Sequence, residues 1–154
     1  MSNKELNILI NKKIFFNYFI EKKIVAGIVL NGWEVKSIRN KNFQISSSYA
    51  IIKLKEVYLI NMIVNSIYKK KDDPDISRSR KLLLNKSEIR KIIEIKQKNK
   101  LSIVPLRCFL KNHLVKIELA LVKGKKNYDK RSILKDQDWK KKSSIIVKNI
   151  NSKK

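Results

Sequence analysis

The chain has 154 residues, with 37 basic against 13 acidic side chains, a formal net charge of +24, and 43% hydrophobic residues. That length fits one domain with a modest core and one tail. Such a charge repels itself in a compact state and is best tolerated beside a polyanion, either nucleic acid or an anionic membrane. Charge alone does not choose between these, because an AT-rich coding sequence enriches Lys, Ile and Asn together. Arg is harder to ascribe to that bias, and the Arg residues at 39, 78, 80, 90, 107 and 131 carry a planar fork suited to phosphate and base edges. The lone Cys108 precludes an internal disulfide and reads as a buried apolar residue in a strand. No run approaches the roughly 18 apolar residues of a membrane span. The apolar run at 6–10 is too short for a signal-peptide core, so the expected location is cytoplasmic.

In chain order, residues 1–10 are expected to be loosely ordered and 11–16 to form a short helical turn. A long strand follows over 18–30, with Ile24, Ala26, Ile28 and Leu30 on one face. Gly27 in its middle signals a bulge or a close backbone approach. Asn31-Gly32 breaks the strand before a short helix at 33–39. Residues 49–54 and 57–62 form a hairpin across Lys55-Glu56, without the Gly or Asn of the favoured two-residue turn. Residues 65–79 have no period and read as an exposed loop. Asn85 with Glu88 three residues on makes a capping-box start for a helix whose buried stripe is Ile89, Ile92 and Ile93. A strand over 101–110 places Val104, Leu106, Cys108 and Leu110 on one face, with Pro105 at an edge or bulge. Residues 111–113 turn the chain into a return strand over 114–122, where Val115, Ile117, Leu119 and Leu121 alternate with polar or small residues.

From 123 to 154 Lys, Asn, Asp and Ser dominate, and the segment cannot bury enough surface to fold alone. Trp139 and Ile145-Ile146-Val147 are costly to leave in water, so the tail is expected to be disordered when free and helical on a partner. The fold class is mainly β: an OB-like antiparallel β-barrel over 1–122 with short flanking helices, followed by a disordered basic C-terminal tail over 123–154. The barrel is a fold-level analogy from strand number and chain size.

No reactive constellation is visible, so the chain is expected not to be an enzyme. His113 falls in a turn, and with one Cys and one His no tetrahedral metal site can be built. Asp72, Asp73 and Asp75 lack the Gly and distal Glu of a calcium loop, and Gly124-Lys125-Lys126 lacks the earlier Gly of a phosphate loop. No metal or cofactor is expected. The positive signal is basic residues interleaved with aromatics. Lys12 and Lys13 precede Phe15, Phe16, Tyr18 and Phe19, Trp33 precedes Lys36 and Arg39, and Lys123 to Lys126 precede Tyr128, Lys130 and Arg131. Cations supply phosphate contacts, and aromatic faces stack on unpaired bases. For Phe19 and Trp33 core packing is the competing reading. Tyr128, in the tail, has nothing obvious to pack on.

These segments resemble the tmRNA-binding protein family, also called small protein B or SsrA-binding protein. The resemblance rests on Gly32-Trp33-Glu34-Val35-Lys36-Ser37 with Arg39, on Arg78-Ser79-Arg80-Lys81-Leu82-Leu83-Leu84, and on Lys123-Gly124-Lys125-Lys126 followed by Tyr128-Asp129-Lys130-Arg131. Supporting stretches are Asn11-Lys12-Lys13, Tyr18-Phe19-Ile20-Glu21, Ala26-Gly27 and Ser48-Tyr49. The resemblance implies an adaptor of bacterial trans-translation, which binds the tRNA-like domain of tmRNA and brings it to the A site of stalled ribosomes. Leu83, Asn85 and Lys116 match residues of the family's tmRNA-binding face, and Lys12, Lys13, Trp33, Lys36, Arg39, Arg78, Arg80 and Lys81 are candidates beside them. Gly124, Tyr128, Asp129, Lys130 and Arg131 match the start of a tail that meets the decoding centre. Trp139, Ile146, Val147 and Lys148 match its distal part in the empty mRNA channel. The implied partners are tmRNA, small-subunit ribosomal RNA and alanyl-tmRNA with elongation factor Tu, the protein acting as a monomer. Val25 stands where the family has an acidic residue that contacts RNA, and Tyr128 where it has His. The alternatives left open are a nonspecific ribosomal or RNA-chaperone protein, a peripheral membrane protein and a nuclease. The second lacks an amphipathic anchor and the third lacks paired acids.

Overall fold

The structure, a computed structural model, describes residues 6–66 and 75–151, apart from the side chains of 146–151. Residues 67–74, which hold most of the acidic loop, lie outside it. Its strands are β1 (Leu6–Ile10), β2 (Tyr18–Ile28), β3 (Phe43–Gln44), β4 (Tyr49–Lys53), β5 (Glu56–Ile60), β6 (Ile63–Val64), β7 (Arg80–Leu83), β8 (Ser102–Lys111) and β9 (Leu114–Gly124). The helices are α1 (Lys12–Asn17), α2 (Gly32–Arg39), α3 (Lys86–Asn99) and α4 (Asn127–Asn151). Every strand pairing is antiparallel. The order β8-β4-β5-β7-β2-β9 returns to β8 through the β8–β9 hairpin, so the ladder closes on itself as an OB-like barrel requires.

Closure follows from where the apolar residues fall. Ala26 and Ile28 of β2, Val57 and Leu59 of β5, Leu82 of β7, and Ile117, Leu119 and Leu121 of β9 all enter one core. Ile89 and Ile92 of α3 and Ile38 of α2 complete it. Helix α3 starts as its sequence dictates. Asn85 caps the first turn, and the Glu88 side chain accepts from the Asn85 backbone N–H at 2.8 Å.

Four expectations need correction. Residues 6–10 form a strand, because β8 offers them a free edge where Arg107 to Leu110 pair with β1. Along β8, Val104 and Leu106 do not share a face with Cys108. A bulge between Pro105 and Arg107 shifts the alternation by one residue. Val104 and Leu106 therefore pack with Ile14, Ala120 and Val122 in a second, smaller core, while Ile103 and Cys108 face the main one. Pro105 has no N–H to donate and sits at this break, between the stretches of β8 that pair with β4 and with β1.

The β4–β5 hairpin turns at Leu54-Lys55, with Lys53 opposite Glu56. Both turn residues have positive φ, 51° and 60°, as a two-residue I′-type loop demands. The favoured turn is thus made from unfavoured residues, at a cost of roughly 1–2 kcal/mol each. β9 runs on to Gly124, two residues past the expected boundary. The segment beyond it, expected to be helical on a partner, is the helix α4 over Asn127–Asn151. Over residues 127–145 it is mostly exposed, Leu134, Trp139 and Ile145 included.

Candidate nucleic-acid interface

Strands β7, β2 and β9 lie side by side, and Gly27 of β2 pairs with Leu83 on one flank and Lys116 on the other. A Cβ at Gly27 would meet the Leu83 Cβ at 3.3 Å, so glycine lets Leu83 lie close against β2. Leu83 is 54% exposed, an apolar side chain held on the outside of the barrel. Asn85 follows it at the N-cap of α3 and is exposed. The fold therefore brings Leu83, Asn85 and Lys116 to one outer face from two distant stretches of sequence. Val25, also exposed, lies on that face opposite Glu118. The Glu118 carboxylate accepts from Arg107 Nε at 2.9 Å, and Arg107 stacks over the Phe109 ring at 4.5 Å. A carboxylate thus stands beside the Val25 position, supplied by the neighbouring strand.

Arg80 behaves differently from the sequence expectation, and Arg78 shares its acidic partner. Glu34 of α2 is fully buried, and its oxygens accept from Arg78 Nε at 3.0 Å, Arg80 Nε at 2.9 Å and the Asn31 backbone N–H at 2.7 Å. Arg80 is itself 0% exposed and also donates to the carbonyls of Met62, Arg78 and Ile76. It offers nothing to a ligand, so the expectation of an RNA contact at Arg80 is corrected to a buried ion pair. A guanidinium in this interior requires that pairing. Arg78 retains 28% side-chain exposure. The Gly-Trp-Glu and Arg-Lys-Leu-Leu-Leu motifs therefore meet physically, the acid of the first neutralising an arginine of the second. Burial pushes the Glu34 carboxyl up, but the hydrogen bonds from Arg78 and Asn31 and the charge of Arg80 outweigh it, holding the group below the usual carboxylate range. Lys81 is half-exposed and paired with Glu56, which also accepts from the Tyr58 hydroxyl at 2.6 Å.

Trp33 is half-buried and packs against the main core. Lys36 and Arg39 lie on the exposed side of α2, with Arg39 donating to the His113 carbonyl at 3.2 Å. Lys12 and Lys13 are exposed on α1, beside a cleft lined by Leu9, Phe43 and Ile45.

The start of the tail is anchored to α1 and β2. Lys125 donates from its backbone N–H to the Asn17 carbonyl at 2.9 Å and from Nζ to the Phe15 carbonyl at 2.8 Å. Its ammonium also sits 4.9 Å from the centre of the Phe19 ring. Phe15, Phe19 and Tyr128 are 49%, 50% and 66% exposed, so the junction displays aromatic faces with Lys125 and Lys126 among them. Asp129 accepts from the Lys126 backbone N–H at 3.2 Å and thereby caps α4. Gly124 and Arg131 are exposed, Lys130 is half-buried and Trp139 is 73% exposed. Ile146, Val147 and Lys148 fall within α4, but their side chains lie outside the described residues. The roles of Lys125 and Glu118 carry no local signal, since each depends on a strand or helix distant in sequence. Among the described residues, no three His, Cys, Asp or Glu side chains lie close enough to hold a metal ion, and no helix is long and apolar enough to cross a membrane.

The SmpB protein family matches residues 8–149, a span that contains both surfaces. The chain belongs to the SmpB family. It is 41% identical over 144 residues to the SsrA-binding protein of Dichelobacter nodosus (strain VCS1703A), covering 92% of this chain and 91% of that one. It is 45% identical over 140 residues to the SsrA-binding protein of Borreliella afzelii (strain PKo), covering 90% and 93%. Its fold resembles a chain in the solved structure "tmRNA-SmpB: a journey to the center of the bacterial ribosome", with a TM-score of 0.65 and 33% identity over 79% of this chain and 86% of that one. SmpB proteins are thus its relatives by sequence along the chain and by fold.

Proposed function

We propose that the protein binds the tRNA-like domain of tmRNA on the β7–β2–β9 face and carries it to the A site of stalled ribosomes, serving rescue and peptide tagging. The observation that carries this reading is the convergence of Leu83, Asn85 and Lys116 around Gly27 in a chain of the SmpB family. Lys116 contributes a cation for phosphate, Asn85 an amide for a base edge or sugar, and Leu83 an apolar face for a base. Glu118 takes the place of the acid missing at Val25. Helix α4 is the arm toward small-subunit RNA: Tyr128, Lys130 and Arg131 address the decoding centre, and Trp139 to Lys148 follow the vacant mRNA channel. In the cytoplasm the loaded partner is alanyl-tmRNA with elongation factor Tu, and the protein acts as a monomer. No chemistry is assigned to it.

Sequencing the RNA that copurifies with the protein tests the first half, and tmRNA is the expected species. A broad spread of ribosomal and messenger fragments would favour a general RNA chaperone. Deleting 127–154 tests the second half. Affinity for the tRNA-like domain should stay nearly unchanged while tagging on stalled ribosomes is lost, and tagging by the truncated chain would refute the role given to α4.

A further inference from the structure

We infer that the groove between the β4–β5 turn and the first two turns of α3 is a subsite for one unpaired nucleotide. This subsite extends the RNA-binding face beyond Asn85 and rests on the RNA-binding reading above. The groove encloses about 390 Å³, within the range of small-ligand clefts. Leu54, Ile89 and Ile93 supply its apolar wall, and Lys55, Lys86 and Arg90 its charge.

Three observations converge on it. Leu54 is 88% exposed and also held at φ 51°, an apolar side chain displayed on a backbone that disfavours it. The positive φ belongs to the two-residue turn, and what that turn does is hold an apolar side chain out at the mouth of the groove. Lys55, Lys86 and Arg90 are exposed and have no hydrogen-bond or ion-pair partner among the described residues. The lining acid, Glu56, is already paired with Lys81 and also accepts a hydrogen bond from the Tyr58 hydroxyl. Unopposed cations around an aliphatic wall suit a phosphate with a base laid against carbon, and a base reaches such a wall only from an unpaired stretch. The groove is also continuous with the proposed face, since Lys86 follows Asn85 directly.

The test uses the full chain and a transcript of a bacterial tmRNA tRNA-like domain. Leu54→Asn combined with Lys55→Gly installs the favoured I′ turn and removes both groove side chains. Its Tm should rise while affinity falls about ten-fold, the two moving in opposite directions. Arg90→Glu, on the exposed side of α3, should weaken binding by a similar factor with Tm unchanged. Chemical footprinting should show one unpaired nucleotide protected by the wild-type protein and exposed with both variants. If the wild-type protein fails to bind the transcript, the RNA-binding reading itself falls. If it binds and both variants match it, only the groove is wrong.

Discussion

Asn31, Arg78 and Arg80 all donate to the buried carboxylate of Glu34. Replacing Glu34 with Gln leaves the Arg80 guanidinium in the interior without its counter-charge, and about 3–5 kcal/mol of stability should be lost in urea denaturation. The same carboxyl sets an acid limit. Its folded pKa lies below its ordinary value of 4.5, so its contribution is fully present above that value. It disappears as pH falls through the lower folded value, where the group protonates in both states. The gap between wild type and Glu34→Gln should therefore be widest near neutrality and close in acid, and a constant gap down to pH 2 would contradict this assignment. Cys108 gives a second test at this scale. It is fully buried, and burial pushes its thiol up to about 12. Maleimide should label it only at denaturant concentrations that unfold the barrel. Arg80 was legible as an important residue but not as a structural one, because a motif says which residues recur together and not which way they face.

Helix α3 carries two duties at its first residues. Asn85 caps it and also stands on the proposed RNA face. Asn85→Ala should cost about 1 kcal/mol of stability and weaken RNA binding, whereas Asn85→Ser keeps a competent cap. The serine variant should have near wild-type Tm and still bind tmRNA less tightly. Equal binding by wild type and the serine variant would reduce Asn85 to a cap. Elements with strong local signals, such as the Asn85–Glu88 start and the alternation of β9, were readable in advance. β1 was not, because what makes residues 6–10 a strand is the free edge of β8. The bulge at Pro105–Arg107 was flagged by its proline, yet its effect on the faces of Val104 and Cys108 depends on which partner strand sits opposite each residue.

At the scale of the molecule the barrel and α4 are nearly independent. Leu134, Trp139 and Ile145 are exposed, and the junction rests mainly on Lys125 against Phe15, Asn17 and Phe19. Removing residues 127–154 should leave the Tm within a few degrees of wild type, since little apolar surface is uncovered. Removing the Lys125 side chain should instead free the helix relative to the barrel, and hydrogen exchange over 125–131 would report it as faster opening.

The class of fold, the starts of most elements, the change of character after β9 and, through the motifs, the family are all written in the amino-acid sequence. These are local properties: periodicity, capping pairs, turn breakers and composition act within a few residues of one another. It takes the folded chain to put Arg80 in the interior, to gather Leu83, Asn85 and Lys116 around Gly27, and to stand Glu118 beside Val25. Folding also sets the Leu54-Lys55 turn against α3. Each of those facts is a contact between residues far apart in the chain, made when the strands close into a ring, and no short-range pattern encodes which distant side chain will lie opposite.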